Sequence, residues 1–180
     1  GIVGLGRIGT ATALRARALG YEVLFYDPYV RDGTDKSLGI RRVQSMRELM
    51  SQAHVVSCHC LLSDETRHIV NMESIRWMQP ESLLINTARG AVVDPAAILW
   101  GLENGVLAGA GIDVLEREPP AVDEPLLQAW RDPAHPAHDR LILTPHAAFY
   151  SEEGLEDMRR KGCENVRRVL LGETPRNVIN

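Results

Sequence analysis

The protein has 180 residues, of which 44% are hydrophobic and 24% are charged, a usual balance for a globular domain. Its net charge of −4, with no basic cluster along the chain, argues against a nucleic-acid or membrane-surface partner. No apolar run approaches the roughly 20 residues that a membrane-spanning helix requires.

Short apolar runs alternate with helical patterns along the chain, and this alternation is typical of an α/β fold with a parallel sheet. The predicted strands are 1–3, 21–27, 53–60, 82–87, 107–114 and 141–144. The predicted helices are 11–19, a helix that starts at Ser45, 71–78, 94–105 and 151–172. This order favours a Rossmann-type, doubly wound sheet.

The segment 115–140 is the longest stretch without a regular pattern. Six of the ten prolines lie between residues 119 and 145, so we expect a loop here rather than a packed element. His135 and His138 in this segment are conceivable metal ligands, but no cysteine or carboxylate cluster completes a site. We therefore interpret them as residues of a solvated loop.

The three cysteines, Cys58, Cys60 and Cys163, do not suggest a disulfide framework, and a reducing cytoplasm fits them. Alternation along a strand would place Cys58 and Cys60 on one face of the sheet and His59 on the other. Buried core residues explain this pattern better than a metal site does, so no metal is predicted.

A glycine motif follows the first strand and opens the first helix. Gly4, Gly6 and Gly9 have the G-x-G-x-x-G spacing, which permits a tight turn, close approach of a pyrophosphate and close packing of helix and strand. The helix N-terminus would attract the phosphates. Asp27, 18 residues after Gly9, would bind the ribose hydroxyls and favour NAD over NADP, although Arg31 lies nearby.

Polar residues follow three of the later strands, where an open α/β sheet binds its ligands. Arg89 could bind a substrate carboxylate through two hydrogen bonds, and His146 could supply a proton near neutral pH. Glu118 would orient the imidazole and favour its charged form. Taken singly, Arg89 could form a surface ion pair, Glu118 could be solvent-exposed and His146 could be structural.

The chain resembles the NAD-binding domain of the D-isomer-specific 2-hydroxyacid dehydrogenases over essentially its whole length. The matching stretches are "GIVGLGRIG", "HCLLSDETRHIVN", "LLINTARGAVVDPAAILWGLENGVLAGAGIDVLEREPP" and "LTPHAAFYSEE". Within the family it looks most like the C-terminal-binding-protein branch, because of "VLFYDPY", "NTARGAVVD" and "PHAAFYSEE".

The resemblance implies that Arg89 binds the substrate and that Glu118 and His146 form the acid–base pair. It also implies that Asp113 holds the nicotinamide carboxamide. The residues expected to contact NAD(H) are Gly4, Gly6, Arg7, Ile8, Gly9, Asp27, His59, Cys60, Thr87, Ala88, Arg89, Asp113 and His146. Those expected on the substrate side are Arg89, His146 and Phe149.

The resemblance further implies a domain taken from a longer protein. The NAD-binding domain would cover 1–172, and a tail, 173–180, would cross back to a substrate-binding lobe built largely from residues before Gly1. A homodimer formed mainly through this domain is expected.

Two functions follow from the resemblance. The first is NAD-dependent interconversion of a small 2-oxo acid and a D-2-hydroxy acid, and the second is an NAD(H)-sensing corepressor scaffold that binds transcription factors. Leu61 replaces a proline of many relatives, and Phe149 replaces a tryptophan of the animal corepressors, so their substrate preference does not carry over. Glu118, where a formate dehydrogenase would have glutamine, disfavours that activity.

Overall fold

The computed structural model of the protein describes residues 1–178. The chain separates into two compact units, Gly1–His146 and Ala147–Asn180. The domain boundary expected near residue 172 and the crossing of the tail stay predictions. Residues 179 and 180 of that tail lie outside the described residues.

The first unit is built on a parallel sheet of seven strands in the order β3-β2-β1-β4-β5-β6-β7. The strands are β1 (Ile2–Val3), β2 (Leu24–Tyr26), β3 (Arg41–Arg42), β4 (Val55–Cys58), β5 (Ser82–Asn86), β6 (Leu107–Ile112) and β7 (Leu141–Leu143). The predicted α/β fold with a doubly wound sheet is therefore confirmed. The short edge strand β3 carries two arginines and gave no apolar pattern to detect.

Helices connect the strands, and most of them begin at a capping residue that the sequence indicates. They are α1 (Arg7–Ala18), α2 (Thr34–Leu38), α3 (Met46–Gln52), α4 (Met72–Ile75), α5 (Pro95–Glu103), α6 (Pro125–Arg131) and α7 (Glu152–Leu170). The side chains of Ser45, Asn71, Asp94 and Ser151 each accept a hydrogen bond from a backbone N–H of the following helix.

The prediction of an unpacked loop over 115–140 is wrong. The helix α6 forms within it, with Leu126 and Ala129 buried, and Ala137 after it is fully buried as well. The misleading signal was Pro125, which is the first residue of α6, where its fixed φ favours a helix and its missing N–H costs nothing. Glu124 caps this helix by accepting a hydrogen bond from the Leu127 N–H.

Successive residues of the central strands enter two separate apolar clusters, which shows that both faces of the sheet are covered. Val3 and Leu24 belong to the larger cluster, together with buried residues of α3, α4, α5 and α6. Their neighbours Ile2 and Phe25 belong to a smaller cluster with Ala13 of α1. This two-sided burial is typical of strands in a parallel sheet.

The second unit contains α7, which begins after the capping residue Ser151. A turn follows the helix, with Gly172 at a positive φ of 73°. Arg168 donates a hydrogen bond to the carbonyl of Thr174, and the Asn165 side chain bonds the backbone of Arg176. Within residues 1–178, no helix combines the length and apolar character needed to span a membrane.

Replacement of Leu102 by alanine should lower the free energy of unfolding by about 2–5 kcal/mol, because Leu102 is fully buried in the larger cluster. The matched control is Leu14→Ala in α1, where the leucine is 42% exposed and the change should stay within about 0.5 kcal/mol. Urea denaturation of both variants measures the difference. Equal losses of stability would contradict the assignment of the core.

Candidate active site

Six neighbouring strands end in one row. The register aligns Tyr26, Val3, Cys58, Asn86, Ile112 and Leu143 across the sheet. The next residue of each strand therefore begins a loop at the same edge; these residues are Asp27, Gly4, His59, Thr87, Asp113 and Thr144. The strand order reverses between β1 and β4, and ligands of open α/β sheets bind at such a point.

The glycine motif makes a turn that tolerates side chains at only one of its three glycines. Gly4 has a positive φ of 88°, and a Cβ there would lie 2.6 Å from the backbone of Cys60. A Cβ on Gly9 would lie 2.1 Å from the carbonyl oxygen of Gly4. Gly6 is exposed and has no atom within 4 Å of a Cβ position, so the turn presents open space beside the first turn of α1.

The start of α1 and the end of β2 meet through Asp27. One carboxylate oxygen of Asp27 accepts a hydrogen bond from the Leu5 N–H at 2.8 Å, and the other accepts one from the Tyr29 N–H at 2.9 Å. These bonds fix the carboxylate beside the glycine turn. Arg7 and Ile8, in the first turn of α1, are exposed at the same edge.

His59 and Cys60 follow β4, with their side chains on opposite sides as the alternation predicts. Cys60 packs against the larger apolar cluster. The imidazole of His59 hydrogen-bonds the Ser57 hydroxyl at 2.9 Å, while its buried Nδ1 finds no partner within the described residues. Burial lowers the pKa of His59, which favours the neutral ring.

The loop after β5 carries Arg89 and is held by a buried asparagine. The Asn86 side chain accepts a hydrogen bond from the Ala88 N–H and donates one to the Arg89 carbonyl, both at 3.0 Å. The guanidinium of Arg89 is exposed and donates to the Ala88 carbonyl at 2.6 Å. No carboxylate of the described residues forms an ion pair with it, so the surface-pair interpretation of Arg89 finds no support.

Hydrogen bonds connect the loops after β6 and β7 close to the strand ends. Asp113 is 4% exposed, and its carboxylate accepts a hydrogen bond from the Thr144 hydroxyl at 2.6 Å. Its carbonyl accepts the backbone N–H of His146 at 2.9 Å. His146 has a positive φ of 52°, a conformation that is uncommon for residues with a side chain and that concentrates at functional sites.

His146 and Glu118, in the loops after β7 and β6, form a hydrogen-bonded pair. The distance from His146 Nδ1 to Glu118 Oε2 is 2.7 Å, and the side chains are 43% and 37% exposed. Because a carboxylate only accepts, Nδ1 carries the proton in this contact. Partial burial raises the pKa of Glu118, but the hydrogen bonds from His146 and from the Leu115 N–H outweigh it, so the pKa lies below its usual value.

The structure thus brings most of the predicted site residues to one edge of the sheet. Phe149 belongs to the second unit, so its expected contact with substrate stays a prediction. Sequence reasoning missed the roles of Asn86 and Thr144. An asparagine at a strand end that hydrogen-bonds its own loop is a known turn signal and could have identified Asn86.

The arrangement supplies three chemical functions at one open edge. A glycine turn at a helix N-terminus can bind a phosphate-bearing cofactor, and an unpaired guanidinium can bind a carboxylate. A histidine oriented by a carboxylate can exchange a proton. Within residues 1–178, no group of three or more potential ligands is placed to hold a metal ion.

Comparisons with known proteins agree with this arrangement. A model of the family described as "D-isomer specific 2-hydroxyacid dehydrogenase, NAD binding domain" matches residues 1–148. The chain is 39% identical over 180 residues to a glyoxylate reductase of Korarchaeum cryptofilum (strain OPF8), which covers 100% of the chain and 51% of that protein. It is 37% identical over 182 residues to C-terminal-binding protein 1 of Caenorhabditis elegans, covering 100% of the chain and 24% of that protein.

A solved structure of similar fold also matches the chain. The crystal structure of D-lactate dehydrogenase from Aquifex aeolicus, complexed with NAD and lactic acid, superposes with a TM-score of 0.83 at 34% identity. The match covers 96% of this chain and 53% of that one. The chain therefore spans about half the length of the glyoxylate reductase and of this dehydrogenase.

The His146→Ala variant should raise the pKa of the Glu118 carboxyl, because the effect of burial stays and the hydrogen bond from the imidazole is lost. Carboxyl-carbon NMR titration measures this pKa directly. Asp157, whose pKa is lowered by Lys161 and Arg160, serves as an internal control and should not change. An unchanged titration of Glu118 would contradict the pairing.

The same lowered pKa fixes the sign of a pH effect on stability. A carboxyl whose pKa falls on folding contributes to the free energy of unfolding above the carboxyl pKa of the unfolded chain. This contribution is lost as the pH falls through the lowered pKa of the folded state. Because both side chains are more than a third exposed, solvent screening keeps it small.

Proposed function

The chain belongs to the D-isomer-specific 2-hydroxyacid dehydrogenases as their NAD-binding domain, and from this we propose that the full-length protein interconverts a small 2-oxo acid and a D-2-hydroxy acid. The observation that carries the proposal is the His146–Glu118 pair, joined at 2.7 Å at the ligand-binding edge of the sheet. A proton donor held at this edge, beside an unpaired guanidinium, suits the reduction of a carbonyl next to a carboxylate.

The residues at the glycine turn fit NAD(H). The open space at Gly6 admits a pyrophosphate, the α1 N-terminus offers N–H groups, and Asp27 can accept the ribose hydroxyls. A carboxylate at this position repels a 2′-phosphate, so NAD(H) is preferred over NADP(H). When bound, the cofactor supplies or accepts the hydride.

Arg89 holds the substrate. Its planar guanidinium donates two parallel hydrogen bonds to the substrate carboxylate and thereby orients the neighbouring carbonyl. Asn86 keeps the loop of Arg89 in place through its two hydrogen bonds. A lysine would keep the charge but lose the two-point geometry, so Arg89 sets the orientation of the substrate as well as its affinity.

His146 handles the proton. In reduction it donates a proton from Nε2 to the carbonyl oxygen as negative charge develops there, and in oxidation Nε2 accepts the hydroxyl proton. Glu118 accepts the hydrogen bond from Nδ1 and fixes the orientation of the ring. Asp113, fixed by Thr144, is assigned to the nicotinamide carboxamide, and Phe149 is assigned to the substrate side of the site.

The remaining parts of the proposal concern the assembly. A second lobe outside these 180 residues closes over the substrate, because the chain spans 51% of the glyoxylate reductase. The protein acts as a homodimer in the cytoplasm.

A scaffold that binds transcription factors and senses NAD(H) is the second candidate, and the 37% identity with C-terminal-binding protein 1 supports it. The two candidates differ in turnover. An enzyme oxidises NADH with a 2-oxo acid and depends on His146, whereas a scaffold captures short peptides with or without turnover.

The full-length protein should oxidise NADH when glyoxylate or pyruvate is added, and His146→Ala should lower kcat by about 10²–10⁴. The fall in absorbance of NADH measures the reaction. His54→Ala, which removes another exposed histidine, is the matched control and should keep full activity. Turnover that survives His146→Ala would overturn the proposed role of this residue, and no turnover with any 2-oxo acid would favour the scaffold.

The Gly6→Ala variant should fold normally and bind NADH at least about tenfold more weakly, a loss of ~1.4 kcal/mol. Its backbone, with φ −74°, accepts alanine, and the added methyl group meets no protein atom within 4 Å. The methyl group would occupy the space of the pyrophosphate. Calorimetric titration with NADH tests this, and Gly162→Ala, an equally open glycine of α7, should bind like the wild type.

A further inference from the structure

A second histidine–glutamate pair lies beside the first. Glu116, two residues before Glu118, accepts a hydrogen bond from His68 Nε2 at 3.1 Å with one carboxylate oxygen. Its other oxygen accepts one from Arg67 Nη1, also at 3.1 Å. The two donors belong to adjacent residues of the loop that follows β4. A single segment therefore hydrogen-bonds both oxygens of the carboxylate. We call these three residues the Glu116 clamp.

The segment that supplies the two donors is also fastened to the loop of Arg89. The N–H of His68 donates to the Ala91 carbonyl at 2.8 Å, and the Asp94 N–H donates to the Val70 carbonyl at 2.8 Å. Val70 also forms a parallel bridge with Val93. His68 has a positive φ of 48°, so its backbone is held in an uncommon conformation while its side chain reaches Glu116.

A third contact joins the loop of Arg89 directly to the loop of Glu118. A Cβ on Gly90 would lie 2.0 Å from the carbonyl carbon of Leu115 and 2.3 Å from the nitrogen of Glu116. The peptide between Leu115 and Glu116 therefore packs against the backbone at Gly90. Three loops thus meet around Glu116, and two of them carry the residues assigned to substrate binding and proton transfer.

The turn from Leu115 to Glu118 connects the Glu116 clamp to the acid–base pair. Within it, the Leu115 N–H donates to Glu118 Oε1 at 2.9 Å, and Glu118 Oε2 meets His146. Glu116 extends from the same turn to Arg67 and His68. The turn is therefore held by two carboxylates, that of Glu116 in the clamp and that of Glu118 in the pair.

Exposure decides what the clamp can contribute. The side chains of Arg67, His68 and Glu116 are 53%, 37% and 39% exposed. Exposed ion pairs add little to the stability of a folded protein. The effect of the clamp on the reaction rate can nevertheless be large, because a displacement of about 1 Å in a catalytic group can cost roughly a hundredfold in rate.

We propose that Glu116 is a positioning residue, which through Arg67 and His68 holds the turn that presents Glu118 to His146 opposite the loop of Arg89. The inference rests on the proposed function, because it assigns the clamp a role in that reaction. It adds three residues, none of them assigned a role in the site so far, which act through the acid–base pair and touch neither cofactor nor substrate.

The test compares Glu116→Gln with the wild type in the full-length protein, with NADH and glyoxylate as the probes. We expect kcat to fall about tenfold to a hundredfold, with the Kd for NADH and the Tm unchanged. Glu103→Gln is the matched control, since Glu103 pairs with His135 at 3.5 Å and is 44% exposed. This control should leave kcat unchanged.

A spectroscopic readout separates positioning from simple electrostatics. Loss of the negative charge of Glu116 alone would lower the pKa of the Glu118 carboxyl, since like charges raise it. Loosening of the hydrogen bond from His146 would raise that pKa instead. We therefore expect the NMR titration of Glu118 in Glu116→Gln to move upward, toward its value in His146→Ala.

Removal of the donors provides an independent variant. The double variant Arg67→Met/His68→Gln leaves Glu116 in place and should show the same loss of kcat. Adding Glu116→Gln to it should cause no further loss, because members of one network are not additive.

Two results would overturn the inference. One is a Glu118 titration in Glu116→Gln that stays the same or moves downward, which can be observed whether or not the protein turns over a 2-oxo acid. The other is a fall of kcat in Glu116→Gln that is accompanied by a lower Tm and weaker NADH binding, since general damage to the structure would then explain it. If the wild type shows no turnover while the titration of Glu118 moves upward, the proposed function fails and the positioning of Glu118 by the clamp stands.

Discussion

The common register of six parallel strands is the constraint on which the site depends. Because the aligned positions run from Tyr26 to Leu143 across the sheet, every following loop starts at one edge. Arg89 and His146 each lie three residues beyond their strand, so short loops suffice to carry them. A shift of one strand by one residue would exchange its side chains between the two apolar clusters and disrupt the packing of both, so burial on the two faces favours this register.

Beyond the strand ends, the positions of the residues proposed to bind substrate and transfer the proton are set by polar contacts between loops. The buried side chains of Asn86 and Asp113 hydrogen-bond the loops that rise from the strand ends. The His146–Glu118 pair is partly exposed, so it adds little to stability and its geometry must come from the loops around it. The buried residues that stabilise the sheet and the exposed residues proposed to act on the substrate are therefore different residues, although they meet at the same edge.

The sequence predicted the parts of the fold that have strong local signals. The α/β class with a parallel sheet follows from the alternation of apolar and helical patterns, and the glycine motif follows from its spacing. The helix α6 was missed because the concentration of prolines was interpreted as a loop, although Pro125 is the first residue of the helix, a position where proline is favourable. The contact of Gly90 with the Leu115–Glu116 peptide could not be predicted, because it joins positions whose proximity only the folded sheet creates.

The approach of Gly90 to the Leu115–Glu116 peptide also limits how members of this family can be recombined. A chimaera that exchanges the loop after β6 alone would set a foreign backbone against Gly90, where the structure leaves no room for a side chain. The loops after β4, β5 and β6 therefore form one exchangeable module. Transfer of any one of these loops to another member of the family would have to include the other two.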